Sequence, residues 1–258
     1  MKFRLMTALG VLMLVGSPFA AGGAQTVGYH NVHLRVADPA KAIEWYTKVL
    51  GATIPPPPYS VAFGKTVIAF VKTDTLQPSA GSVIDHIGLS YADLDAKMKD
   101  FQAGGAKIVS PVRDVQGLFK LAFIEDPWGV KIEVVQDPEQ LGFHHVHLRV
   151  KEPEVTLTWY QDMLGGDRAK LKGRIDGLRY GGVWLLAAAS GNETTVPSAD
   201  RAIMNTAFQV ANVDEATAAL KRKQVKTVVE PRSVGNGNTL RYAFFDDPNG
   251  ARFELVQP

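Results

Sequence analysis

The chain has 258 residues, 46% of them apolar and 21% charged, with a formal net charge of +2 and no cysteine. That is the composition of a folded globular protein, long enough for two modest cores. It excludes disulfides, a cysteine nucleophile and a lipid-modified N-terminal cysteine, and it has no basic run of the kind that nucleic acid binding needs.

The first residues read as a leader. Lys2 and Arg4 form a basic start, Leu5 to Val15 an apolar run, and small residues lead to Gln25. This three-part pattern predicts a secretory signal peptide over residues 1–24, cleaved after Ala24. The apolar run is too short to span a bilayer. The mature chain is therefore expected to be periplasmic or secreted, with no membrane span.

From residue 30 the chain repeats itself. HNVHLRVADPAKAIEWYTKVLG (30–51) returns as HHVHLRVKEPEVTLTWYQDMLG (144–165), with 11 of 22 positions identical. A finer repeat divides each half again, since DHIGLSYADLDAKMKDF (85–101) and MNTAFQVANVDEATAAL (204–220) fall on the same pattern. Four modules of roughly 50 to 60 residues follow, a period typical of repeated supersecondary units.

Each module reads alike. A short strand comes first, as at Val32, Leu34 and Val36, with Asn31, His33 and Arg35 on the opposite face. A turn residue suited to capping follows: Asp38, Asp93, Glu152 or Asp214. In the first helix Ala42, Trp45, Tyr46, Val49 and Leu50 form one buried stripe, which Gly51 ends. Three short strands complete the unit, and Pro55 to Pro58 must lie in a loop because proline cannot join a sheet ladder. The second and fourth modules end in AFIEDPWGVKIEVVQ (122–136) and AFFDDPNGARFELVQ (243–257), a hairpin whose last strand carries Glu133 or Glu254 among apolar residues. The predicted fold class is α+β: four βαβββ modules paired into two cupped mixed sheets. The predicted division is a leader (1–24), an N-terminal domain (25–138) and a C-terminal domain (139–258), each domain holding two modules.

The His-x-x-Leu first strand, the acidic turn, the Trp-Tyr helix and the DPxG…E ending together resemble the vicinal oxygen chelate superfamily. It includes glyoxalase I, extradiol dioxygenases and bleomycin resistance proteins. The resemblance implies a glyoxalase/extradiol dioxygenase-like fold and a divalent metal ion inside each cup, with iron, zinc, manganese and nickel not distinguished. It places the ligands at Asn31, His86 and Glu133 in the first half, and at His145, Asn205 and Glu254 in the second. Each set has one histidine where the family's metal enzymes have two. His33 and His147 lie two residues beyond Asn31 and His145, hence on the same strand face. His145, His147 and Glu254 would restore one set, and His33, His86 and Glu133 the other.

The implied function is a metal-dependent enzyme, dioxygenase-like or glyoxalase-like, acting on a small oxygenated substrate, with His145, His147 and Glu254 as catalytic residues. The alternative is a metal-free protein that sequesters a small molecule in the same cup. His30 and His144 fall on the other strand face and are expected to be structural. Lys120 and Arg241 are expected to be surface charges. Arg35 and Arg149 could pair with a carboxylate or an anionic substrate. No nucleophile elbow, P-loop or dinucleotide fingerprint is present.

Overall fold

The computed structural model describes residues 23–56, 59–235 and 238–258. The expected leader, apart from its last two residues, lies outside them. The first module comprises β1 (Thr26–Val36), α1 (Pro39–Lys48), β2 (Ser60–Phe63) and β3 (Thr66–Lys72). The second has β4 (Ile84–Ser90), α2 (Leu94–Ala103), β5 (Lys107–Asp114), β6 (Lys120–Glu125) and β7 (Lys131–Val135). The third has β8 (Gly142–Val150), α3 (Pro153–Leu164), β9 (Asp167–Leu171), β10 (Ile175–Tyr180) and β11 (Val183–Ala189). The fourth has β12 (Ile203–Val210), α4 (Val213–Arg222), β13 (Lys226–Gly235), β14 (Asn238–Asp246) and β15 (Arg252–Gln257). The predicted βαβββ order holds in the last three modules. In the first, the strand expected before β2 shrinks to one bridge between Thr53 and Ala62, where the prolines that follow have no N–H to donate.

Local chemistry explains the helices. The Asp38 carboxylate accepts from the N–H groups of Ala40 and Lys41, and Asp93 accepts from that of Ala96. Two cap assignments need correcting. Glu152 makes no side-chain cap bond, and α4 is capped by Asn212, whose side-chain oxygen accepts from Asp214 and Glu215. Asp214 sits in the first turn of α4 and pairs with Arg241 at 2.6 Å. Ala42, Tyr46, Val49 and Leu50 are buried as the stripe requires. Trp45 is only partly buried and donates its indole N–H to the Gly104 carbonyl. Gly51 ends the turn at a φ of 76°, a region open to glycine.

The modules do not pair in sequence order. One sheet runs β13-β14-β15-β12-β1-β3-β2 and joins the fourth module to the first. The other runs β5-β6-β7-β4-β8-β11-β10-β9 and joins the second to the third. The seams are antiparallel pairs of first strands, β1 with β12 and β4 with β8. The expected grouping of ligands within each half of the sequence is thereby overturned. Both pairings satisfy the same local pattern, and the choice between them is made by long-range strand contacts.

A large apolar core takes in buried residues of all four helices and both sheets, among them Tyr46, Phe101, Tyr160 and Leu220. A second, smaller cluster of Phe119, Leu121, Val135, Leu171, Trp184 and Leu186 lies apart from it. Trp184 pairs directly opposite His145, and Leu186 opposite His147. Directly paired residues share a face, so this cluster lines the face of the eight-stranded sheet that carries the histidines.

Candidate metal centre

Four donors converge at the middle of the eight-stranded sheet. His86 comes from β4, Glu133 from β7, and His145 and His147 from β8; one ligand atom from each lies within 4.8 Å of the others. His86 pairs opposite His147, and Gly88 sits between Glu133 on one neighbouring strand and His145 on the other. A Cβ on Gly88 would lie 2.2 Å from the His145 ring. Glycine at this position is what lets the imidazole settle over β4.

The partners assign the proton positions. Asp137 accepts only, so His144 donates its Nε2–H to Asp137 across 3.3 Å. Its Nδ1 is then bare, and His145 donates its own Nδ1–H to it at 2.8 Å. The Nε2 of His145 is left without a proton, 3.1 Å from Glu133 Oε2 and without a hydrogen-bond partner. Two acceptors face each other there. His86 donates its Nδ1–H to Asp85 at 2.7 Å, and its Nε2 lies 3.1 Å from the same Glu133 oxygen. Both ring nitrogens of His147 are buried with no hydrogen-bond partner among the described residues. An unsatisfied buried polar group costs about 1–3 kcal/mol, a cost that a cation among these donors would offset.

The electrostatics match. Burial works to raise the Glu133 carboxyl, but His145 and His86, when the nitrogen facing it carries a proton, outweigh burial and hold it well below the ordinary range. Burial pushes His145 down, and pushes His147 well below the usual imidazole value with help from the charge of His86. Burial also opposes a charge on His86, yet Asp85 and Glu133 raise it, so its proton stands where a cation could stand. Burial, then the neighbouring His145, brings His144 down to about 4. Neutral imidazoles around one carboxylate are a donor set for a divalent ion. The 3.1 Å spacings suit ligand atoms around an ion at about 2.0–2.2 Å.

His144 corrects the strand-face expectation. From Gly88 to Leu89 the partner on β8 jumps from His145 to Phe143, so His144 is the extra residue of a β-bulge. A bulge places consecutive side chains side by side, and His144 becomes the support of His145. Lys172 continues the chain, with its ammonium 2.9 Å from Asp137 and 2.8 Å from Glu139.

The seven-stranded sheet is the same scaffold with different residues. Asn205 stands where His86 does, Asn31 where His145 does, Ala207 for Gly88, His33 for His147 and Glu254 for Glu133. There His33 Nδ1 donates to Asn205 Oδ1 at 2.9 Å and lies 3.4 Å from Glu254. Asn31 is taken up by His30 at 2.8 Å. Burial, only partly offset by Asn205, pushes the Glu254 carboxyl up to about 8. It is therefore uncharged at neutral pH. The sets His145–His147–Glu254 and His33–His86–Glu133 do not form, because β15 and β1 belong to the other sheet. Of the expected donors, His86, Glu133, His145 and His147 come together, and His33 and Glu254 lie apart from them beside Asn205. Arg35 and Arg149 pair with Asp200 and Glu193 and do not join the donors. Lys120 and Arg241 are surface ion-pair members, to Asp95 and Asp214.

A cavity of about 250 Å³ opens above the donors. Its floor is His86, Glu133, His145 and His147, and its walls are largely apolar.

Comparison with known proteins agrees with the fold. The profile of the Glyoxalase/Bleomycin resistance protein/Dioxygenase superfamily matches residues 28–134 and 142–255. A Mycobacterium bovis protein provisionally named glyoxylase CFP32 is 23% identical over 247 residues, covering 88% of this chain and 93% of its own. Lactoylglutathione lyase of Escherichia coli O157:H7 is 29% identical over 121 residues, 41% of this chain and 90% of its own. The crystal structure of glyoxalase I from Zea mays superposes with a TM-score of 0.69 over 90% of this chain and 92% of that one, at 20% identity, a likeness of fold.

Proposed function

The chain belongs to the Glyoxalase/Bleomycin resistance protein/Dioxygenase superfamily, and on that premise we propose that it is a metal-dependent enzyme of the glyoxalase type acting on a small oxygenated organic substrate. One observation carries the reading. The unprotonated Nε2 of His145 faces the charged Glu133, with the partnerless His147 beside them. A divalent cation bound between these acceptors would satisfy them together.

His86, His145 and His147 would hold the ion as neutral imidazoles, and Glu133 as its anionic ligand. A bound divalent ion would supply Lewis-acid polarisation of a substrate oxygen. The chain's own residues do the rest. Asp85 and the His144–Asp137 pair hold two imidazoles in the required tautomer. The apolar walls exclude water from the bound substrate, which strengthens every polar contact inside. Glu133 is the one carboxylate among the donors on the cavity floor and would be the base available to take a proton from a substrate carbon. The relatives named as lyases favour this non-redox chemistry over ring cleavage.

The test is elemental analysis after reconstitution with zinc, nickel, manganese or ferrous iron, followed by assay. One retained ion per chain is expected, lost in His147→Ala and Glu133→Gln, together with lyase activity on 2-oxoaldehyde hemithioacetals. Ring cleavage of catechols with ferrous iron would instead assign the dioxygenase chemistry. No retained metal, with small-molecule binding intact in His147→Ala, would replace the enzyme by a metal-free binder. The leader pattern of residues 1–24 supports a periplasmic or secreted location, to be read by N-terminal sequencing of the mature protein.

A further inference from the structure

The geometry points to the substrate class of this site: a compact apolar molecule with oxygen donors at one end and a single anionic group at the other, the anion held by Arg113. The inference rests on the metal-site reading for the oxygen end and stands on separate residues for the anionic end. Among the residues lining the cavity, Arg113 is the one charged side chain outside the donor group. The apolar lining includes Phe119, Leu121, Phe123, Leu171, Ile175 and Leu186.

The strand register fixes the length. Glu133 pairs opposite Phe123, and Arg113 pairs opposite Leu121, two residues along on the same face. Arg113 thus lies two strands across and two residues along from Glu133. With about 4.8 Å between strands and about 3.4 Å per residue, the backbones are roughly 12 Å apart. Side chains reach inward from both ends, so the space between suits a single ring or a short chain. The volume agrees, since 250 Å³ falls below the roughly 300 Å³ at which pockets for drug-sized ligands begin. A peptidic thiol adduct would press several amides and charges against apolar walls that offer them no partner.

Arg113 is exposed, and no ion pair or hydrogen bond of its guanidinium occurs among the described residues. The equivalent position in the other sheet is Arg232, which pairs opposite Tyr242 as Arg113 does opposite Leu121. Arg232 lies 5.5 Å from the centre of the Tyr242 ring and is engaged there. In the cup with the complete donor set, the corresponding cation has no aromatic partner and is left for a ligand. A guanidinium presents a planar fork that matches a carboxylate.

The experiment compares two matched probe pairs on the full chain by calorimetry. On zinc- or nickel-loaded protein the pair is 4-carboxybenzohydroxamate, which chelates at one end and carries the anion at the other, and benzohydroxamate, which lacks the anion. The charged probe should bind at least about tenfold more tightly, equivalent to about 1.4 kcal/mol. Arg113→Gln should bring it down to the level of the uncharged one, and Arg232→Gln should change neither. On metal-free protein the pair is 4-methylbenzoate and its neutral isostere 4-methylbenzamide, and only the acid should bind, dependent on Arg113. An equal affinity for both members of a pair, or an anion preference that survives in Arg113→Gln, overturns the proposal. Failure to load metal while the benzoate preference persists overturns the metal reading and leaves the anion site standing.

Discussion

Replacing Gly88 by alanine tests the centre through an atom that is not a ligand. The backbone at Gly88 is not in the left-handed region, so alanine meets no conformational penalty there. The whole effect is steric. The added Cβ would stand 2.2 Å from Cε1 and Nδ1 of His145 and 2.7 Å from its Cγ. Carbon atoms pack at about 3.5–4.0 Å, so the ring must retreat by more than about 1 Å. It is held on one side by His144 at 2.8 Å and faces Glu133 at 3.1 Å on the other. A retreat of that size removes both contacts. Overpacking costs about 1–3 kcal/mol, offset by about 0.4–1 kcal/mol from the lower chain entropy of alanine. The net loss of stability in the metal-free protein is therefore expected to be modest. Metal affinity should fall by at least the ~10–100-fold typical when only an outer partner of a ligand is disturbed. Chelator competition with zinc reads the affinity, and thermal melting with and without zinc reads the stability. Ala207→Gly, at the equivalent place in the other sheet, should leave zinc binding unchanged. If Gly88→Ala bound zinc as tightly as the parent and melted at the parent temperature, the assignment of His145 as a ligand would be refuted.

Three further outcomes follow from the same geometry. His147→Leu should leave the metal-free protein at least as stable as the parent, because two buried nitrogens without a hydrogen-bond partner among the described residues disappear. The same variant should lose the metal-induced stabilisation, about 2.7 kcal/mol at a hundredfold excess over Kd; a melting series with and without metal shows both. His144→Leu should weaken metal binding by ~10–100-fold while His144→Asn, which keeps an acceptor for His145, recovers part of it; equal affinities in the two variants would remove His144 from the site. Glu254 rises from 4.5 to about 8 on folding because it is buried. A carboxyl whose folded value lies above its unfolded one contributes its stability in full below pH 4.5 and loses it as pH climbs to 8. Glu254→Gln should therefore flatten the pH dependence between 5 and 8 by something on the order of 4 kcal/mol in urea unfolding, and an unchanged slope would contradict a neutral Glu254.

The module was legible in the sequence because its determinants are local. Alternation along Val32, Leu34 and Val36, the capping Asp38 and Asp93, and the Asp-Pro-x-Gly hairpins act within a few residues of one another. The period of a strand also put His145 and His147 on one face correctly. Two things were not legible. The partner of each module depends on which first strands meet in an antiparallel seam, β4 with β8 and β1 with β12, and all four first strands carry nearly the same pattern. A signal was available in the ligand residues themselves. Grouping His86 and Glu133 with His145 and His147 makes one full set, whereas grouping by halves makes two broken ones. The second is His144. Simple alternation sends it to the far face, and only the extra residue in β8 turns it toward His145, a change of register that depends on the neighbouring strand.

The two cups form a controlled comparison within one chain. Their backbones correspond except at one edge, where β9 is matched only by the Thr53–Ala62 bridge, and both keep a buried glutamate in the last strand of the pair, Glu133 and Glu254. Burial opposes the charge on each. Imidazoles at His86 and His145, which can present a proton or a cation to it, reverse that opposition at Glu133, while at the equivalent places Asn205 and Asn31 bring no charge and Glu254 takes up a proton. Ala207 adds a methyl group where Gly88 leaves room for a ring. These three substitutions act in the same direction, removing two ligands and the space for one of them. The seven-stranded sheet nevertheless keeps its apolar face, because Leu34, Ile68, Phe208 and Phe253 form one core with Ile87, Val146 and Leu148 of the other sheet. Polar residues on the concave face could change without unfolding the protein, and the apolar residues behind them could not. The apolar face of the seven-stranded sheet supports the shared core whichever polar residues its opposite face carries.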